Sequence, residues 1–359
     1  MAGIGQSRRG DIRDGNGDVL LVRGLEVTYG RSEQKIRAVW NTSFSVGSGE
    51  FVGIAGESGC GKSTLAFAVA RLLRGSGRIT SGEVIWFGDG LPGVDLVSAD
   101  DQTLRKIRWS GISVVMQAAM NSMNPVLTVQ SQIDDVMRAH DPSLSRRDRE
   151  ERVRTLLKMV RIPVDRAGAY PHQLSGGMRQ RAMIALAVAL SPRLVILDEP
   201  TTALDVVMQR VVLDEIHELQ QTLGFSVIFI THDLPLLVEA ADRILVMYAG
   251  TIVESGVASE LYERPMHPYT CGLTASSPRV SGDVVELTGI RGSPPSLKEL
   301  PPGCAFAPRC DRAINKCTEE VPELAPRNWD SGSGAREAAC HLYPPVVGLA
   351  ASENGGGGS

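Results

Sequence analysis

Phe51-Val52-Gly53-Ile54-Ala55-Gly56-Glu57-Ser58-Gly59-Cys60-Gly61-Lys62-Ser63-Thr64 runs from an apolar stretch through a glycine-rich turn into a helical stretch. Residues 56–63 satisfy G-x-x-x-x-G-K-[ST] without departure. The strand Phe51–Ala55 before them and the helix Thr64–Leu73 after them are the setting in which that pattern holds phosphate. Glycines let the backbone curl until its N–H groups point at phosphate oxygens, and the helix N-terminus adds a positive end. Gly56, Ser58, Gly59, Cys60, Gly61 and Thr64 thus form the cradle, with Cys60 a small filler rather than a nucleophile. Lys62 is placed to reach the β- and γ-phosphates, and the Ser63 hydroxyl to ligate Mg²⁺.

Outward from this loop, short apolar runs alternate with helical stretches, an α/β pattern. Strands are expected at Ile112–Met116, Leu194–Asp198, Ser226–Thr231 and Arg243–Tyr248, continuous enough for a sheet covered on both faces. The runs Leu20–Tyr29, Val39–Val46 and Glu83–Phe87 alternate and suggest a half-exposed antiparallel sheet beside it. Ser145–Arg161 reads as a helix: Ser145 and Asp148 make a capping start, and Val153, Leu156, Leu157 and Val160 form one stripe.

Leu194–Asp198 ends in Asp198-Glu199. Beside a phosphate loop, Asp198 suits the Mg²⁺ shell and Glu199 an attacking water. These features specify an Mg²⁺-dependent nucleotide hydrolase and nothing finer.

Composition narrows the class. Of 359 residues 43% are apolar and 22% charged, which excludes wholesale disorder. A net charge of −4 offers no basic field for nucleic acid. No apolar run approaches the ~18 residues of a membrane span, and residues 1–18 lack the apolar core of a signal peptide. The setting expected is cytoplasmic, with reduced or metal-bound cysteines. Residues 1–18 read as a flexible leader and 346–359 as a flexible tail ending in a Gly/Ser linker.

Leu174-Ser175-Gly176-Gly177-Met178-Arg179-Gln180 lies upstream of the acid pair and opens a helix, Met178–Leu190. At this point the chain resembles the ATPase subunits of ABC transporters, whose signature is LSGGxxQ. A serine hydroxyl and glycine N–H groups at a helix N-terminus suit a second phosphate clamp. The resemblance implies that Ser175, Gly176 and Gly177 face the phosphate loop of a partner subunit, so that two chains sandwich two ATP molecules. It implies further that Tyr29 stacks on adenine and that Gln117, ending Ile112–Met116, is the Q-loop residue sensing Mg²⁺ and water. Thr202-Ala203-Leu204-Asp205 matches the interface-crossing D-loop, and His232 the switch histidine at the γ-phosphate. The fold implied is an ABC-type P-loop core over 19–278, with an antiparallel β subdomain and a helical subdomain over about 120–180.

Four stretches resemble the oligopeptide and dipeptide importer branch: Asn121–Thr128, Leu174–Arg181, Ile230–Gly250 and Arg264–Thr270. Ala118 and Ala119 depart from the acid-proline pair usual after the Q-loop glutamine, which clouds permease docking and leaves the ATP chemistry alone. A Pro- and Cys-rich extension, 279–345, carries Cys304, Cys310, Cys317 and Cys340 with gaps of five, six and twenty-two residues. Spacing alone leaves disulfides, zinc, an iron–sulfur cluster or packed thiols open. Resemblance to the peptide-importer extension favours a [4Fe–4S] cluster on those four cysteines over zinc, for which His341 could replace a thiolate. Cys271 stands apart as a packing residue.

The resemblance implies an ATPase powering a peptide importer at the cytoplasmic face of the membrane, peripheral to it. Two permease subunits and a second ATPase are the implied partners, a paralogue ahead of a second copy, with an extracytoplasmic solute-binding protein acting indirectly. The alternatives are a nickel or other small-solute importer, a soluble ABC ATPase of DNA repair or translation, or a regulatory scaffold.

Overall fold

The computed structural model describes residues 17–30, 35–88, 93–116, 123–202, 205–276, 289–327 and 336–344. Among the described residues twelve strands follow in chain order: β1 (Asp18–Tyr29), β2 (Ile36–Gly47), β3 (Phe51–Ala55), β4 (Arg78–Trp86), β5 (Val94–Asp95), β6 (Ile112–Val115), β7 (Leu194–Asp198), β8 (Ser226–Ile230), β9 (Arg243–Tyr248), β10 (Thr251–Val257), β11 (Ala325–Arg327) and β12 (Arg336–Ala338). They form an antiparallel sheet ordered β2-β1-β4-β5 and an eight-stranded sheet ordered β11-β12-β10-β9-β3-β8-β7-β6.

The larger sheet is parallel from β9 to β6, so β3, β8 and β7 are consecutive neighbours with their carboxyl ends on one side. Strand alternation explains why these runs are apolar throughout. Phe51 and Ala55 enter one core together with Val195, Leu197, Val227 and Phe229. Val52 and Ile54 enter the other with Leu194, Ile196, Ile228 and Ile230. Each of the Val, Leu, Ile and Phe side chains contributes roughly 1.5–3 kcal/mol by leaving water.

The helix Lys62–Val69 covers the second face through Leu65, Ala68 and Val69. The helix Val206–Leu223 covers the first through Val212, Ile216 and Leu219. Between β6 and β7 in chain order lie the helices Val129–His140, Arg146–Met159 and Gly176–Ala187, which share the first core through Ile133, Leu156 and Ile184.

Ser145 caps the second of these helices, its Oγ accepting from the Asp148 N–H at 3.2 Å, as its capping pattern predicts. Arg161, at φ 54°, lies in the left-handed region just past the helix end. The loop helix starts at Lys62 and ends at Val69, shorter than the expected Thr64–Leu73, with Arg71 left-handed just beyond it.

β10, β11 and β12 extend the main sheet where no strand was expected. β12 pairs with β10 antiparallel, so residues of the C-terminal extension belong to the same sheet as the phosphate loop. The expected boundary near 278, most of the leader and the tail fall outside the described residues.

Candidate functional site

Ligands of parallel α/β sheets bind outside the carboxyl ends of the strands. Here β3 runs into the phosphate loop, β8 into Thr231-His232, and β7 into Asp198-Glu199. The loop is wedged between strands. A Cβ on Gly61, at φ 109°, would strike the Ala38 carbonyl, and one on Gly56, at φ 153°, the Met247 carbonyl. Ser58 and Gly59 are exposed at the crest while Cys60 is buried, and burial pushes its thiol pKa up. A buried, protonated thiol suits a filler of the loop.

Lys62 is 4% exposed, and its Nζ donates to the Gly56 carbonyl at 2.7 Å and the Glu57 carbonyl at 3.0 Å. Ser63 Oγ donates to Asp198 Oδ1 at 2.9 Å. Asp198 is fully buried, and its Oδ2 is without a hydrogen-bond partner among the described residues. Burial raises the Asp198 pKa, against the Ser63 hydrogen bond and the Lys62 charge. A buried carboxylate with one free oxygen beside a serine hydroxyl fits a hard cation such as Mg²⁺.

Glu199 occupies a left-handed backbone position, φ 47°, with its N–H held by the Ile230 carbonyl at 2.9 Å. Such conformations persist where the surroundings enforce them. This one brings Oε1 within 3.8 Å of His232 Nδ1, and Oε2 accepts from Thr202 Oγ1 at 3.0 Å. His232 is largely exposed, facing outward from the β8 end.

Tyr29 ends β1, and its ring lies so close to Gly77 that a Cβ there would sit 2.7 Å from it. Thr64 is half-buried in the first turn of its helix. Ser175 is exposed and caps Gly176–Ala187, its Oγ accepting from Met178 N–H at 3.3 Å. Gly176 and Gly177 open that helix, and a Cβ on Gly177 would meet the Met208 methyl at 3.0 Å. Asp205 caps the following helix through Met208 N–H at 2.9 Å. Among the described residues no hydrogen bond joins Ser175, Gly176, Gly177 or Asp205 to this chain's own phosphate loop. Gln117, Ala118, Ala119, Ala203 and Leu204 lie outside the described residues.

Cys304, Cys310, Cys317 and Cys340 line one small cavity of about 10 Å³, with His267, Phe306 and His341. Burial raises the thiol pKa of Cys304 and Cys310, and that of Cys340 to about 11. Among the described residues no group of three or more His, Cys, Asp or Glu is disposed to hold a metal ion. The [4Fe–4S] cluster expected on these four cysteines, or zinc in its place, therefore has no preformed site among the described residues: the thiols line one cavity, and a space of that size takes no more than about one water. The donor set, four soft ligands on one cavity, still suits a thiolate-bound group.

Two contributors carry no motif. Tyr269 Oη accepts from the Glu57 N–H at 2.7 Å, and Arg309 pairs with the Glu57 carboxylate. The sequence signals for them are Tyr269's place in the importer-like stretch Arg264–Thr270 and Arg309's place beside Cys310.

Residues 39–202 match the family model described as ABC transporter, and residues 253–317 the model described as oligopeptide/dipeptide transporter, C-terminal region. A Brucella ovis protein described as a peptide import ATP-binding protein is 45% identical over 325 residues, 88% of this chain and 96% of that one. The oligopeptide transport ATP-binding protein AppD of Bacillus subtilis is 41% identical over 330 residues, 90% of this chain and 97% of that one. Among solved structures, the dimeric bacterial ABC transporter cassette MJ0796 superposes with a TM-score of 0.58 at 30% identity, over 67% of this chain and 98% of that one. No helix among the described residues is long and apolar enough to cross a membrane.

Proposed function

The chain belongs to the ABC transporter ATP-binding proteins of the oligopeptide/dipeptide importer type, and from that premise we propose that it hydrolyses ATP to power a peptide importer. The observation that carries the ATPase reading is the meeting of Lys62, the Ser63–Asp198 pair and the Glu199–His232 pair at three adjacent strand ends. The peptide reading rests on the match over residues 253–317 and on the relatives' import functions.

In this reading Lys62 and the loop N–H groups grip the phosphates, and Tyr29 stacks on adenine. Ser63 and Asp198 would hold Mg²⁺, with Gln117 completing its shell; the ion supplies positive charge against the phosphate oxygens. Glu199 takes a proton from the attacking water, and His232 contacts the γ-phosphate. Ser175, Gly176 and Gly177 serve the opposite site of an ATPase pair, and Asp205 belongs to the D-loop that crosses the interface. Their position on helix starts, with no hydrogen bond to this chain's own loop among the described residues, supports that division of labour.

ATP binding closes the pair and hydrolysis reopens it. Two permeases are the membrane partners, a paralogous ATPase the favoured second subunit, and a solute-binding protein delivers cargo from outside. The cassette spans 19–278 and the extension 279–345, docked on the cytoplasmic face. The deciding experiment is affinity capture of the Glu199→Gln form with ATP from native membranes, followed by mass spectrometry. Two multi-spanning permeases and a sister ATPase are expected. A nickel-binding delivery protein encoded with them would move the cargo to metal, and soluble partners alone would remove transport.

We also infer, from the resemblance of this extension to that of the peptide importers and from the four thiols sharing one lining, that Cys304, Cys310, Cys317 and Cys340 hold a [4Fe–4S] cluster, which would require the small cavity between them to open and would staple a segment poor in core residues. Anaerobically purified chain should contain about four iron and four sulfide per molecule, falling to background in Cys340→Ser. Stoichiometric zinc instead would select the alternative metal, and neither element would leave packed thiols.

A further inference from the structure

Arg309 stands one residue before Cys310, yet its side chain pairs with the phosphate loop, 252 residues earlier in the chain. Nη1 donates to Glu57 Oε2 at 2.7 Å and Nη2 to Glu57 Oε1 at 3.0 Å, a two-bond fork. The guanidinium is itself fixed. Nε donates to the Arg291 carbonyl at 2.9 Å, Nη2 to the Gly292 carbonyl at 3.3 Å and Nη1 to Tyr248 Oη at 3.3 Å. Its side chain is 5% exposed, with its carbon centre 5.8 Å from the ring centres of both Tyr248 and Phe306.

Glu57 is the second residue of the loop, and it is held at three points. Arg309 holds the carboxylate, Tyr269 Oη the N–H, and Lys62 Nζ the carbonyl. Tyr269, Tyr248 and Phe306 pack on one another with ring centres 4.5–5.5 Å apart, so the wall behind Glu57 is rigid. The extension also faces the loop across a cavity. Pro294, Ser296 and Lys298 share a cavity of about 330 Å³ with Glu57, Ser58 and Gly59.

We propose that Arg309 is a positioning residue for nucleotide binding: through Glu57 it fixes the phosphate loop in its receptive curl, so the C-terminal extension sets the affinity for ATP. A loop held in the binding geometry beforehand has less ordering entropy to lose when phosphate arrives. The pair suits this role because a two-bond fork restrains direction as well as distance. Arg309 touches no reacting atom and acts through Glu57, which in turn bears on Gly56, Ser58 and Lys62.

The inference rests on the ATPase reading, and the test separates the two. ATP dissociation constants, KM and kcat are measured for full-length wild type, Arg309→Met, Arg309→Lys, Glu57→Gln and the double variant Arg309→Met/Glu57→Gln. Arg309→Met and Glu57→Gln should each weaken ATP binding and raise KM about tenfold while kcat at saturation stays within about twofold. Arg309→Lys should recover part of the loss, keeping the charge and losing the fork. The double variant should be no worse than the weaker single, because both remove one interaction. Wild-type KM in both singles, or losses that add in the double, would overturn the proposal. If Arg309→Met does not fold, Glu57→Gln alone decides, and a wild-type KM there is fatal. A wild type that binds no ATP overturns both readings; one that binds ATP as tightly as its variants overturns this one alone.

Discussion

Glu199→Gln is expected to bind ATP as the wild type does and to hydrolyse it about 10²–10⁴-fold more slowly, the range a general base supplies. The substitution keeps size and shape. The Thr202 hydroxyl, 3.0 Å from Oε2, can still donate to an amide oxygen, and the backbone clamp from Ile230 is untouched. What disappears is the ability to take a proton. The left-handed φ of 47° is a cost that glutamate and glutamine bear alike, so no folding loss separates them. Because phosphate grip depends on Lys62 and the loop, and not on Glu199, binding and closure should persist. Nucleotide should remain with the protein through gel filtration, in a complex twice the mass of one ATPase. Phosphate release at saturating ATP gives the rate. Near-normal turnover removes Glu199 from the base role, and lost ATP binding makes it a structural residue.

What could be read from the sequence followed burial. β3, β7 and β9 have the limits expected of them because both faces are covered and every position is apolar until the strand ends. β10 escaped because its middle holds Glu254, Ser255 and Gly256, which break an apolar pattern. Glu254 is nevertheless fully buried, its carboxylate accepting from the Met266 and His267 N–H groups at 2.8 Å each. A buried carboxylate satisfied by backbone twelve residues downstream leaves no local trace. β11 is Ala-Pro-Arg, and proline is tolerated there only because it is an edge strand.

The nucleotide site divides in the same way. Lys62, Ser63, Asp198 and Glu199 are legible because phosphate chemistry fixes both residue type and spacing. Their convergence follows once β3, β8 and β7 are neighbours, an order that no strand announces by itself. The orphaned Oδ2 of Asp198 and the strained backbone of Glu199 need coordinates. So does the Arg309–Glu57 pair, whose members stand 252 residues apart. The cysteines show the reverse case: their spacing leaves several chemistries open, only resemblance to the importer extension groups them, and in the structure they line one cavity without a set of three disposed to hold a metal ion among the described residues.

Lys62→Ala should fail at an earlier step than Glu199→Gln, and the comparison orders the two residues in the cycle. The Lys62 ammonium is buried and bridges the Gly56 and Glu57 carbonyls across the loop. Alanine removes both hydrogen bonds and the one positive side chain that the loop itself carries. Loss of such an electrostatic contact to phosphate is worth about 10²–10³ in turnover. Here the loss should fall on binding as well, since the charge acts on bound ATP before any bond breaks. Arginine should not rescue it. The Lys62 Nζ sits 2.7 and 3.0 Å from two carbonyls of the curl, a point-charge fit that a larger planar guanidinium does not reproduce. The informative chain is the double variant Lys62→Ala/Glu199→Gln, measured for nucleotide retained after gel filtration. Retention near zero places the Lys62 grip before closure and Glu199 after it. Retention equal to that of Glu199→Gln alone would mean that the signature clamp of the partner subunit holds ATP without the loop lysine, and the phosphate grip would pass to the backbone N–H groups.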